Sequence, residues 1–149
     1  MKKASSDLLL LDLNVLLALA WPNHQFHATA TRRLENGDRW ATCALTQIGF
    51  IRLSSNPAAV QARKTPAEAA LLLAEMVSDP LHVYLDSLPP ATSQAFLPAF
   101  EKITGSKQVM DTYLLSLARQ SRATFVTFDA RLRELAGSAV KIEVMGAVE

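Results

Sequence analysis

The chain has 149 residues, half of them hydrophobic and 19% charged, and its 15 Lys and Arg against 14 Asp and Glu give a formal net charge of +1. That composition supplies the apolar surface of one ordinary domain and excludes disorder; the charge balance excludes coating of nucleic acid by a global positive field, so any RNA or DNA contact needs a local basic surface. A single cysteine, Cys43, excludes a disulfide framework and a zinc ribbon.

The most apolar stretch, Leu8 to Trp21, is interrupted by Asp12 and Asn14 and falls short of the about 20 apolar residues that cross a bilayer. Lys2 and Lys3 precede it as in a leader peptide, but Asp12 would sit inside the apolar core and no small-x-small cleavage site follows. The expectation is a mature cytoplasmic chain with no membrane partner.

In chain order, Leu8–Leu11 is a continuous apolar run, as in a strand covered on both faces. Asn14–Ala20 predicts a helix stopped at Trp21-Pro22, because proline disfavours a helical residue before it. His27–Leu34 predicts a second helix, closed by Asn36-Gly37-Asp38, and Arg39–Thr42 a second strand. Thr46–Leu53 predicts a helix ended at Ser54-Ser55-Asn56-Pro57. Thr65-Pro66-Ala67-Glu68 opens another, with Pro in the first turn and Glu68 reaching back to Thr65. It runs to about Val77, before Asp79-Pro80 and a third strand at His82–Leu85. A helix over Thr92–Phe100 follows Pro89-Pro90. Gln108–Arg119 carries Met110, Tyr113, Leu114, Leu117 and Ala118 at helical spacing. Thr124–Phe128 predicts a strand, Asp129–Leu135 a short helix and Lys141–Val144 a last strand. This alternation predicts an α/β domain with a mainly parallel sheet flanked by helices.

Open α/β sheets gather functional groups beyond the carboxyl ends of their strands. Asp12 and Asp129 follow two predicted strands, and Asp111 lies in the first turn of the Gln108 helix beside its apolar stripe. Singly, each has a structural reading: Asp12 and Asp129 suit helix caps, and Asp111 suits the positive end of a helix dipole. Together they predict one site. Carboxylates about 4 Å apart repel by several kcal/mol at an effective dielectric of about 20, so such a site protonates or takes a cation. An all-oxygen donor set selects Mg²⁺, with Mn²⁺ possible, and a carboxylate-held Mg²⁺ suits phosphate chemistry.

Leu11-Asp12-Leu13-Asn14-Val15-Leu16-Leu17-Ala18-Leu19-Ala20 resembles the opening motif of PIN domains and, more closely, of the VapC-type toxins of bacterial toxin–antitoxin pairs. Thr46-Gln47-Ile48-Gly49-Phe50-Ile51-Arg52-Leu53 resembles the second motif, Val109-Met110-Asp111-Thr112-Tyr113-Leu114-Leu115-Ser116-Leu117-Ala118 the third, and Thr127-Phe128-Asp129 the fourth. The order is right and the match spans nearly the whole chain. The resemblance implies a single PIN-like three-layer α/β/α domain over residues 1–149. Its implied activity is that of a Mg-dependent endoribonuclease cleaving tRNA or ribosomal RNA to a 5′-phosphate and a 3′-hydroxyl. The family's acids fall on Asp12, Asp111 and Asp129, as catalytic and metal-holding residues, with Asn14, Thr46, Gln47 and Thr127 as orienting neighbours. The implied partners are a cognate antitoxin, through which alone DNA is contacted, and a second copy of the chain.

The departure is Gln47, where many PIN domains place Glu. A neutral amide leaves the site at −3 rather than −4, which predicts one working Mg²⁺ rather than two. Lys107 and Arg131, each close in sequence to a site acid, are the expected RNA contacts; Arg32, Arg33, Arg39, Arg52, Arg63, Lys64, Arg119, Arg122 and Arg133 are weaker candidates. His24 and His27 lack the Glu of a zinc-protease motif and predict polar surface, with RNA contact a minority reading. Trp21, Phe26 and Phe50 predict core or partner surface rather than base-stacking platforms, and Cys43 a small buried residue. Two other functions fit the same residues: a non-catalytic PIN-like binding module, and a haloacid-dehalogenase-like phosphotransferase. The second wants an acid where Asn14 stands.

Overall fold

The computed structural model describes residues 7–58 and 64–146. Five strands form one sheet in the order β3-β2-β1-β4-β5, and every pairing is parallel. They are β1 (Leu8–Leu11), β2 (Arg39–Cys43), β3 (His82–Leu85), β4 (Thr124–Thr127) and β5 (Ile142–Val144). β1 is the central strand, and Leu10 stands beside Ala41 of β2 and Phe125 of β4. Its four leucines are all buried because both faces are covered: Leu8 and Leu10 point into one layer, Leu9 and Leu11 into the other.

The Leu9/Leu11 face carries α1 (Leu13–Ala20), α2 (His27–Leu34), α3 (Ala44–Ser54) and α4 (Pro66–Met76). The Leu8/Leu10 face carries α5 (Val109–Gln120), α6 (Leu132–Ala136) and a 3₁₀ turn at Leu97–Lys102. The result is the α/β/α sandwich expected from the alternation of elements. Among the described residues no helix is long and apolar enough to cross a membrane.

The helix starts follow local chemistry. Glu68 accepts from the Thr65 N–H at 2.8 Å and Thr65 Oγ1 accepts from the Glu68 N–H at 3.1 Å, the reciprocal cap expected at α4. α3 begins at Ala44, two residues before the expected start, because Thr46 Oγ1 accepts from the Cys43 N–H at 3.1 Å and fixes the turn there. Cys43 itself is wholly buried. Gly49 lets α3 approach α1: a Cβ there would lie 2.8 Å from Leu13 Cδ2.

Two expected elements differ. Thr92–Phe100 is not an α-helix; turns lead into the 3₁₀ segment Leu97–Lys102. Pro98 removes a backbone donor and crowds the preceding turn, which stops an α-helix from running through it. α6 starts at Leu132 rather than Asp129, because the Asp129 carboxylate is spent on a tight turn with Arg131. Arg63 lies outside the described residues.

Arg33, a weaker candidate for RNA contact, is an internal clamp. Its Nη1 donates to Asp38 Oδ2 at 2.7 Å, and its Nε and Nη2 donate to Glu143 Oε2 and Oε1 at 2.7 and 3.1 Å. It ties α2 to the edge strand β5 and to the turn before β2. Asp38 is nearly buried, with 7% of its side chain exposed, so removing the guanidinium withdraws a 2.7 Å ion pair from a poorly solvated carboxylate. Arg33→Met is expected to lower unfolding free energy by about 1–3 kcal/mol. Urea denaturation checks this, and a midpoint equal to that of the unaltered chain would contradict the clamp.

Candidate active site

From β1 the chain builds the sheet outward to β3, then crosses back to add β4 and β5 on the other side. The two halves part at the carboxyl ends of β1 and β4, the position where such sheets leave a crevice. A pocket of about 300 Å³ includes Asp12, directly after β1, and Asp129, two residues after β4; Asp111, from the first turn of α5, completes the acids. Leu13, Leu17, Met110 and Leu114 form its apolar wall, and Asn14 and Thr46 add polar groups.

The centre of the arrangement is the Thr127 hydroxyl, which is wholly buried. It donates to Asp12 Oδ2 at 2.7 Å and accepts from the Asp129 N–H at 3.0 Å and from Asn14 Nδ2 at 3.3 Å. One donor and two acceptors exhaust a hydroxyl. Thr127 thus links both strand-end acids, and Asn14 acts through Thr127 rather than on a carboxylate. Asp12 Oδ1 also accepts from the Leu13 N–H at 2.7 Å, so Asp12 caps α1 and faces the pocket at once.

The three carboxylates have different surroundings. Burial pushes Asp12 above the usual carboxylate range, partly offset by the bonds from Thr127 and Leu13. Asp111 is pushed up to about 6, first by burial and then by the charges of Asp12 and Asp129, and no hydrogen bond offsets this. Asp129 is held below its ordinary value because Arg131 donates to it from Nε at 3.0 Å, from Nη2 at 2.9 Å and from its backbone N–H at 3.0 Å.

The other expected site residues are placed as follows. Thr46 lines the pocket, but its hydroxyl is committed to the start of α3, donating to the Cys43 carbonyl at 3.1 Å. Gln47 turns away, since successive helical residues point about 100° apart. Its Nε2 donates to Thr42 Oγ1 at 3.0 Å, and that oxygen meets His82 Nε2 at 2.8 Å. Lys107 is exposed and forms no ion pair among the described residues. His27 Nδ1 lies 2.8 Å from the Ala18 carbonyl, and His24 Nδ1 accepts from the Phe26 N–H at 3.0 Å. Both imidazoles brace the link between α1 and α2. Lys64 sits over the Trp21 ring at 5.6 Å, and Phe26 stacks on Phe128 at 4.5 Å.

The apolar wall and the Arg131 clamp escaped the sequence reading. The signal for the clamp was present in Asp129-Ala130-Arg131, the spacing at which an Asp side chain bonds the backbone two residues on. A larger cavity, about 560 Å³, lies on the other flank of α5 between Phe96, Leu115, Arg119 and Ala136, and no carboxylate lines it.

The donor set in the acidic pocket suits a hard cation: all oxygen, negative in sum, with Asp111 accepting no hydrogen bond among the described residues and attracted only by the charge of Arg131. Among the described residues no three His, Cys, Asp or Glu side chains stand close enough to enclose one ion. Mg²⁺ keeps several waters and takes one or two carboxylates, so a tight three-sided cage is not required.

The family model described as "PIN domain" matches residues 9–138. The chain belongs to the PIN-domain family. Within that family it is similar to Ribonuclease VapC39 of Mycobacterium tuberculosis, with 39% identity over 139 residues, 91% of this chain and 98% of the relative. Ribonuclease VapC38 of the same species is 37% identical over 142 residues, 91% and 94% of the two chains. These relatives place it in the VapC branch. A solved structure, VapBC2 from Rickettsia felis bound to a DNA fragment from their promoter, shares the fold with a TM-score of 0.64 at 14% identity, over 92% of this chain and 98% of the other. The phosphotransferase alternative falls with this assignment.

The raised value of Asp111 makes a prediction about metal-free protein. The folded state holds the Asp111 proton to about pH 6, whereas the unfolded chain releases it near the ordinary carboxylate value of 3.8. The unfolded state therefore binds fewer protons in that window, and stability falls as pH rises through it. In Asp111→Asn that contribution to the fall should vanish, leaving the variant more stable than the unaltered chain at pH 7 in EDTA. Urea unfolding from pH 4 to 7 reads this; identical slopes for the two proteins would contradict it.

Proposed function

We propose that the chain is an endoribonuclease, the toxin of a type II toxin–antitoxin pair, and that its acidic pocket cleaves RNA with Mg²⁺ or Mn²⁺ bound between Asp12 and Asp111. The observation that carries the reading is the meeting of three carboxylates in one pocket at the reversal point of the sheet. The similarity to proteins named ribonucleases supports the substrate class. When bound, such an ion activates water and neutralises phosphate charge.

The chain's own residues set the geometry. Thr127 and the Leu13 N–H fix both oxygens of Asp12, so that carboxylate is oriented before any ligand arrives. Asp111 accepts no hydrogen bond among the described residues and gains most from a cation, which favours its charged form. The apolar wall of Leu13, Leu17, Met110 and Leu114 limits water around the reacting phosphate. Hydrolysis breaks the P–O3′ bond: the oxygen of water ends on the 5′-phosphate and its proton on the 3′-oxygen. Lys107 supplies local positive charge at the amino end of α5, where RNA phosphate would approach. A protein antitoxin is the proposed partner, with DNA reached only through it, and a second copy of the chain completes the assembly. The VapBC2 structure, bound to a DNA fragment from their promoter, supports the antitoxin partner and the DNA contact.

Purified protein incubated with total RNA and Mg²⁺ should cleave it, and EDTA should stop cleavage. Asp12→Asn and Asp111→Asn, folded by circular dichroism, should lose more than the about 10–100-fold typical of an orienting partner, and Thr127→Val should fall within that range. Full cleavage by either aspartate variant, or cleavage in EDTA, would overturn the metal site, and no cleavage by the unaltered chain in Mg²⁺ would favour a non-catalytic binding module.

A further inference from the structure

Each acid of the pocket is satisfied differently. Asp12 is held by neutral donors, the Leu13 N–H and the Thr127 hydroxyl. Asp111 accepts no hydrogen bond from the described residues. Asp129 gives both carboxylate oxygens to a cation of the chain itself, Arg131, whose Nε and Nη2 approach at 3.0 and 2.9 Å. Among the described residues this is the one ion pair that involves a pocket acid.

The pair is placed to be broken. The Arg131 side chain is 90% exposed, whereas that of Asp129 is 24% exposed. Such an exposed pair is worth only about a 1.4- to 5-fold factor in equilibrium, so the guanidinium can leave at little cost. While it stays, a divalent cation approaching Asp129 meets both a filled carboxylate and a like charge. Guanidinium also pairs with phosphate in the same two-pronged way as with carboxylate, so an arriving RNA phosphate offers Arg131 an equivalent partner.

Building on the reading that this pocket holds a divalent cation, we propose that Arg131 is a resident competitor for that cation. It occupies Asp129 in the resting chain, where its charge opposes an ion held by Asp12 and Asp111, and its release leaves the Asp129 charge free to favour that ion. Arg131 is thus a positioning residue that acts through Asp129. This differs from a plain RNA contact, which would leave cation affinity in the absence of RNA untouched.

Mn²⁺ titration without RNA, followed by electron paramagnetic resonance, tests the proposal on full-length protein. Arg131→Ala should bind Mn²⁺ more tightly than the unaltered chain by about 1.4- to 5-fold. Arg133→Ala, which removes the same charge from an exposed position with no ion pair among the described residues, should not. Arg131→Lys, which keeps the charge but loses the fork, should fall between the two. The gain from Arg131→Ala should shrink in an Asp129→Asn background, leaving the part owed to the weaker attraction between Arg131 and Asp111. Equal affinity of Arg131→Ala and the unaltered chain would overturn the proposal and leave the cation site standing, as would an equal gain in Arg133→Ala. Absence of Mn²⁺ binding in both the unaltered chain and Arg131→Ala would overturn the cation reading and this proposal together.

Discussion

Three carboxylates of like sign face one opening of the sheet, and the hydroxyl of Thr127 is what makes that tolerable. It spends its single proton on Asp12 and its two lone pairs on the Asn14 amide and the Asp129 N–H. The bond also joins the ends of β1 and β4, adjacent in the sheet but separated by 115 residues in sequence. A buried carboxylate with no donor would neutralise itself by taking a proton. Asp12 is instead held by two donors at a fixed angle, while Asp111, which has none among the described residues, bears the larger share of the electrostatic cost. The uneven distribution of donors gives the pocket a rigid acid, an open acid and an acid closed by its own arginine.

The same residues serve fold and site, so the capping and functional readings do not compete. Asp12 caps α1 with one oxygen and faces Thr127 with the other. Asp129 builds the turn into α6 while lining the pocket. Thr46 fixes the start of α3 and presents its remaining surface to the acids. Residues that do two tasks are costly to change, since loss of a cap adds to loss of the site.

Much of this was legible in the sequence. Four consecutive leucines ending in Asp12 define a central strand covered on both faces, and Thr124–Phe128 followed by Asp129 defines its neighbour; strand-end logic then predicts the meeting point. The Thr65–Glu68 cap was legible because both partners lie within one turn. What could not be read depended on distant neighbours or on the detailed path of the backbone. The destination of Gln47 is set by where Thr42 stands on β2, and the clamp of Arg33 by Glu143 on β5. Pro98 defeated the helix expected over 92–100, a local signal outweighed in the sequence reading by the apolar residues around it. The Asp129–Arg131 pair was local, but a carboxylate sought as a ligand was not first read as one already taken.

The central claim is that Asp12 and Asp111 hold a divalent cation at the reversal point of the sheet. Anomalous diffraction from a crystal soaked in Mn²⁺ tests it most directly. The account predicts one strong peak inside the pocket, within ligand distance of Asp12 and Asp111. A map with no peak there, or with peaks only elsewhere on the surface, would contradict it.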